Sequence, residues 1–94
     1  MPKVGTVTHQ PLDVMDYDIS YVDWIPAGDT ITSATIKCEP AMTVPPSFAI
    51  QTPVVKVWVY ASGVTGATHK ITVKATTAAG RVKEAELVVK IKEV

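Results

Sequence analysis

Two histidines, His9 and His69, one cysteine, Cys38, and five aspartates, Asp13, Asp16, Asp18, Asp23 and Asp29, are the side chains of this 94-residue sequence best suited to bind a metal or move a proton. A nucleophile needs a base within hydrogen-bond reach, and no local grouping supplies one. His9 and His69 lie far apart in the chain and read as surface or cap residues. Calcium prefers carboxylate oxygens, which makes the aspartate-rich region the one place to consider a cation. Asp16 and Asp18, however, alternate with Tyr17 and Ile19, so they share one face of a strand, where charge defends an exposed edge. Asp29, just before Thr30, suits a turn that caps its own backbone. A single cysteine forms neither an internal disulfide nor a thiolate cluster and reads as a small apolar core residue. There is no phosphate loop, GxSxG, HExxH or CxxC. Trp24 and Tyr60 are the aromatic candidates for a carbohydrate platform, and both read as core or hinge residues. The expectation is a protein with no catalytic, cofactor or metal site, and no enzyme.

Composition limits the scaffold that holds these residues. Val (15), Thr (12) and Ile (7) dominate, while Leu occurs twice, at Leu12 and Leu87. This β-branched weight favours pleated strands over helices. Nine basic and nine acidic groups cancel, so no net positive field argues for nucleic acid. The longest apolar stretch, residues 54–61, is broken by Lys56 and falls short of the roughly 18–20 residues of a membrane span. The first residues lack an apolar signal core, so no cleaved secretory signal and synthesis in the cytosol are expected. No Asn is present, and so no N-glycosylation acceptor. Residues 1–47 carry Lys3 and Lys37 against five Asp and Glu39, a net −4, and residues 48–94 carry the compensating +4. The halves either neutralise each other on folding or present acidic and basic docking faces.

Residues 1–13 are polar, broken by Pro2, Gly5 and Pro11, and without a sustained period. They read as an arm that orders on a neighbour and is dispensable for folding. Residues 14–94 read as one domain. Period-two alternation predicts strands from Asp16 to Tyr21, Thr30 to Cys38, Thr68 to Thr77 and Val82 to about Lys92. A short edge strand is expected at Phe48 to Gln51. Residues 54–61 are apolar enough for a strand buried on both faces, with Trp58 as its largest core side chain. Gly80 is placed to supply a positive φ in the last hairpin. Lys70 and Lys74 are expected to pair across strands with Glu84 and Glu86. The fold class that follows is all-β: a single antiparallel, Ig-like β-sandwich of about 6–7 strands.

Read as a whole, the chain resembles the small β-sandwich virion proteins of tailed bacteriophages known as fibre–tail adaptor proteins. The residues that carry this are Asp16-Tyr17 and Asp23-Trp24, then Gly28-Asp29-Thr30-Ile31-Thr32-Ser33-Ala34. They continue with Val57-Trp58, Gly63-Val64-Thr65-Gly66, Ile71-Thr72-Val73, and Thr76-Thr77-Ala78-Ala79-Gly80-Arg81 leading to Glu84. The family's Gly-Gly after the Trp strand reads Ser62-Gly63 here, and its Tyr before the next strand reads His69. The resemblance implies a non-enzymatic structural protein of the phage particle. It would be made in the host cytoplasm, present in several copies and bound to other virion proteins of the tail, neck, fibre or capsid, with no nucleic-acid or membrane partner. The alternatives are a capsid decoration protein on the phage head and an Ig-like module that binds the host surface.

Overall fold

The computed structural model describes residues 3–61 and 64–93. Its strands are β1 (Lys3–His9), β2 (Met15–Ser20), β3 (Ile31–Glu39), β4 (Ser47–Gln51), β5 (Val54–Val59), β6 (Thr68–Thr77) and β7 (Val82–Ile91). Four of them form one sheet in the order β1-β7-β6-β3, and three form a second in the order β2-β5-β4. No helix occurs among the described residues. The strands expected from alternation are present, each within a residue or two of its expected bounds.

The core lies between the sheets. From the four-stranded sheet come Ile71, Val73 and Ala75 of β6 and Ala85, Leu87, Val89 and Ile91 of β7, all buried. From the three-stranded sheet come Ile19 of β2 and Val55, Val57 and Val59 of β5. Tyr21, just past β2, is the largest fully buried side chain. Alternation fixes these faces because a slip of one residue would turn each apolar set toward water.

Three expectations are corrected. The stretch read as an arm contains β1, which pairs with β7 from Lys3↔Glu86 to His9↔Ile91. Its inward side holds only Gly5, Val7 and His9, too few apolar groups to register as a period. The β1–β7 pairing is parallel, so the sandwich is not wholly antiparallel. Trp58 is not a core residue. In β5 the buried positions are Val55, Val57 and Val59, and Trp58 shares the outer face with Val54 and Lys56. The reason is the pairing of β5 with β2: Tyr17↔Val57 and Ile19↔Val55 bring the inward faces of both strands together.

The molecule is elongated, 41 × 19 × 19 Å. Its register assigns each connection to an end. Residues 21–30, the β4–β5 turn at Thr52 and Pro53, and the β6–β7 hairpin cluster at one end, tied by Tyr21 N–H to Pro53 O (2.8 Å) and Ala78 N–H to Thr30 O (2.9 Å). Gly80 closes the hairpin with φ +91°, a conformation other residues adopt at a cost. Connections 10–14 and 40–46 and the described residues 60–61 and 64–67 lie at the opposite end, where His9 O accepts from Lys92 N–H (3.0 Å) and Ile91 O from Gly66 N–H (2.8 Å).

Candidate docking surface

Four of the five aspartates, Asp13, Asp16, Asp18 and Asp29, are dispersed and already engaged, while Asp23 is exposed in the β2–β3 connection. Asp16 and Asp18 point from the outer face of β2 at Lys56 on β5, whose Nζ lies 2.8 Å from Asp16 Oδ2 and 3.1 Å from Asp18 Oδ1. That ammonium holds the Asp16 carboxyl below the usual carboxylate range, and Asp16 and then Asp18 raise the Lys56 ammonium in return. Asp13 Oδ2 accepts from Gln10 N–H (3.1 Å), closing the β1–β2 connection. Asp29 sits at the hairpin end with its side chain only 5% exposed. Its Oδ1 accepts from Thr30 N–H (3.0 Å) and Ala79 N–H (3.1 Å), and its Oδ2 from Arg81 Nη1 (2.8 Å). The Thr77 hydroxyl, then Arg81 and these amides, hold the Asp29 carboxyl low. Asp29 is thus a backbone cap, as its position before Thr30 suggests, and also an anchor for the final hairpin. Among the described residues, no three His, Cys, Asp or Glu side chains come together as a metal site.

Both histidines are buried, contrary to their reading as surface groups. His9 is fully buried, with Nδ1 2.9 Å from the Tyr17 hydroxyl. His69 is 4% exposed, and its Nδ1 lies 2.7 Å from Pro40 O. A carbonyl only accepts, so His69 carries its proton on Nδ1. Nε2 of each ring is buried without a partner. His9 is bonded to the Tyr17 hydroxyl, and His69 Nδ1 and the Cys38 thiol meet at the same acceptor, Pro40 O, rather than each other. Cys38 is half-buried and faces the core side of β3, and its thiol lies 3.4 Å from Pro40 O. Burial pushes that thiol up in pKa.

The aromatics do not make one platform either. Trp24 packs against the core with its ring edge-to-face to Tyr21 (centroids 5.6 Å apart, 70°) and is capped by Lys83 Nζ, 4.9 Å from the ring centroid. Tyr60 lies beyond the end of β5 and its hydroxyl meets Ser47 Oγ at 2.6 Å. The charged halves of the sequence neutralise each other in part: Asp16, Asp18 and Asp29 of the first pair with Lys56 and Arg81 of the second. Lys70 pairs with Glu86 (3.9 Å), and Lys74 stands opposite Glu84 in register.

What remains unexplained by structure alone is the end opposite the hairpin. Leu12 (87% exposed), Val14, Val44 and Val64 (74%) present large apolar side chains there from three separate connections, and Met15 from the first position of β2. At the hairpin end, the comparable exposed residues are Val22 and Val82. Apolar side chains left in water at one end make that end the candidate contact surface. Alternation offers no signal for Leu12, Val14, Val44 and Val64, because they sit in connections. Their signal is the occurrence of aliphatic residues in turns that polar residues would otherwise fill.

Compared with models of known protein families, residues 9–90 match Gp77, described as podophage GP4 fiber-tail adaptor protein gp77. No curated protein matches the chain.

Proposed function

The chain belongs to this family of podophage fiber-tail adaptor proteins, and we propose that it is a non-enzymatic structural protein of the phage particle that joins tail, neck and fibre components. It is made in the host cytoplasm, enters the virion in several copies and contacts other virion proteins rather than nucleic acid or membrane. The observation that carries this reading beyond the family match is the apolar end, where Leu12, Val14, Met15 and Val64 stand in water. A rod 41 Å long with one apolar end is suited to end-on docking, with the rest of its surface left solvated.

The strand order supports an Ig-like architecture as well. β2-β5-β4 and β3-β6-β7 correspond to the BED and CFG sets of an immunoglobulin constant-type sandwich. The first strand here joins the last, β7, rather than the second.

The test is a Leu12→Ser, Val64→Ser double variant supplied during phage assembly. Both residues are exposed, so stability is expected to stay within about 0.5 kcal/mol. Incorporation into particles is expected to fall about tenfold or more, as for loss of a contact worth about 1.4 kcal/mol. Full incorporation with unchanged stability would refute docking through this end.

A further inference from the structure

Each sheet edge of a sandwich exposes unpaired N–H and C=O groups, and proteins guard such edges with charge, proline or bulges. Three edges here are guarded. In β1 the register shifts between Lys3 and Gly5. β2 carries Asp16 and Asp18. β3 has a register shift between Ile31 and Ser33 and carries Lys37 and Glu39. The fourth edge, β4, is Ser47-Phe48-Ala49-Ile50-Gln51, without a charge, a proline or a register shift in its pairing with β5. Among the described residues β4 pairs with one strand, β5, and no strand lies along its other edge.

Beside this edge lies an apolar groove of about 180 Å³, lined by Ile36 and Cys38 of β3 and by Ala41, Met42, Pro45 and Pro46 of the connection that leads into β4. The open edge and the groove therefore adjoin, and neither carries a charge.

We propose that β4 pairs antiparallel with β4 of a second copy about a two-fold axis at Ala49, joining two three-stranded sheets into one of six strands. The polarity of the strand reads the same in both directions: polar, apolar, small, apolar, polar. In this register Phe48 lies next to the partner's Ile50 on the core side, and Ser47 stands opposite the partner's Gln51 on the outer side. Two-fold pairing sets identical segments against each other, so only an edge without like charges tolerates it. The same pairing through β2 would bring aspartates together. Antiparallel register also carries the partner's Thr52 past Ser47 toward Pro46, at the mouth of the groove. A five-residue edge buries less than the roughly 1,200 Å² of a stable interface, so the pairing is weak and concentration-dependent, and multiple copies in a particle would reinforce it.

Sedimentation of the isolated chain tests this apart from the adaptor role. The expected mass is 10.1 kDa at about 10 μM, rising toward twice that near 1 mM. Ala49 is exposed and paired in register with Lys56, so Ala49→Glu suits the fold but sets two carboxylates together across the axis. This variant is expected to stay at 10.1 kDa throughout. Mixing Ser47→Lys protein with Gln51→Glu protein is expected to associate more strongly than either alone, which fixes the register. A wild-type chain that stays monomeric near 1 mM, an Ala49→Glu variant that associates equally, or a mixture no stronger than its components would overturn the proposal. Because self-association is read on the pure chain, its failure leaves particle incorporation as a separate question.

Discussion

The Tyr21 hydroxyl donates a 2.9 Å hydrogen bond to the Val73 carbonyl, linking the end of β2 in one sheet to the middle of β6 in the other. Tyr21 is fully buried, and burial pushes its phenol up to about 12, so it remains a neutral donor at any ordinary pH. With Trp24 against its ring and Lys83 over Trp24, it closes the core just inside the hairpin end.

Tyr21 therefore holds the role that composition suggests for Trp58. Tyr21→Ala is expected to cost about 3–5 kcal/mol, in the range of large buried aromatics. Tyr21→Phe should cost about 1 kcal/mol, the net worth of one hydrogen bond. Trp58→Ala, on the outer sheet face, should cost about 1 kcal/mol. Urea unfolding of the three variants checks the order. A larger loss at Trp58 than at Tyr21 would mean that β5 presents its other face to the core.

Removing residues 1–9 should unfold the domain rather than trim an arm. The deletion strips β1 from β7 and empties the site of the fully buried His9. Against a typical total stability of about 5–15 kcal/mol, losing an edge strand and part of the core is severe. Near-UV circular dichroism is expected to collapse. Cooperative unfolding retained within about 1 kcal/mol of the full chain would restore the arm reading.

Asp29 makes the hairpin end acid-sensitive. Its carboxyl titrates below the unfolded value of about 4, so the stability it contributes is present above that pH and is lost as pH falls through the depressed folded pKa. Asp29→Asn keeps a cap for Thr30 N–H but no charge for Arg81. The variant is expected to melt lower than wild type at pH 7, with the gap narrowing toward pH 2. A gap of constant size across that range would show that the charge of Asp29 plays no part.

Cys38 should be a slow thiol. Burial raises its pKa and leaves little thiolate at neutral pH. Alkylation of the folded protein at pH 7 is expected about tenfold or more below the rate in denaturant. Equal rates in both states would place Cys38 in water, and the groove that it lines would be misassigned.

Six of the seven strands are legible in the sequence, four of them from alternation, β5 from its apolar run and β4 as a short edge strand. β1 escapes because an edge strand with one neighbour asks little of its sequence, and its inward side includes a glycine and a histidine. The orientation of Trp58 was open to a simple reading: Lys56 stands two residues earlier, and side chains two apart share a face. The apolar run of β5 masks that cue, since Val54 and Trp58 make the outer face apolar on either side of Lys56. Burial of His69 is set by Pro40 O, which the connection 40–46 brings over β6, a contact with no local trace. The apolar end is likewise a product of topology. Leu12 and Val64 are far apart in sequence, and only the pairing of strands places their connections at the same end.

The most direct test of the adaptor reading is to locate the protein in intact particles, by quantitative mass spectrometry of separated heads and tails. The account predicts the protein in the tail fraction at a copy number that follows tail symmetry, from about six to a few dozen. Hundreds of copies confined to heads, or absence from particles, would contradict it.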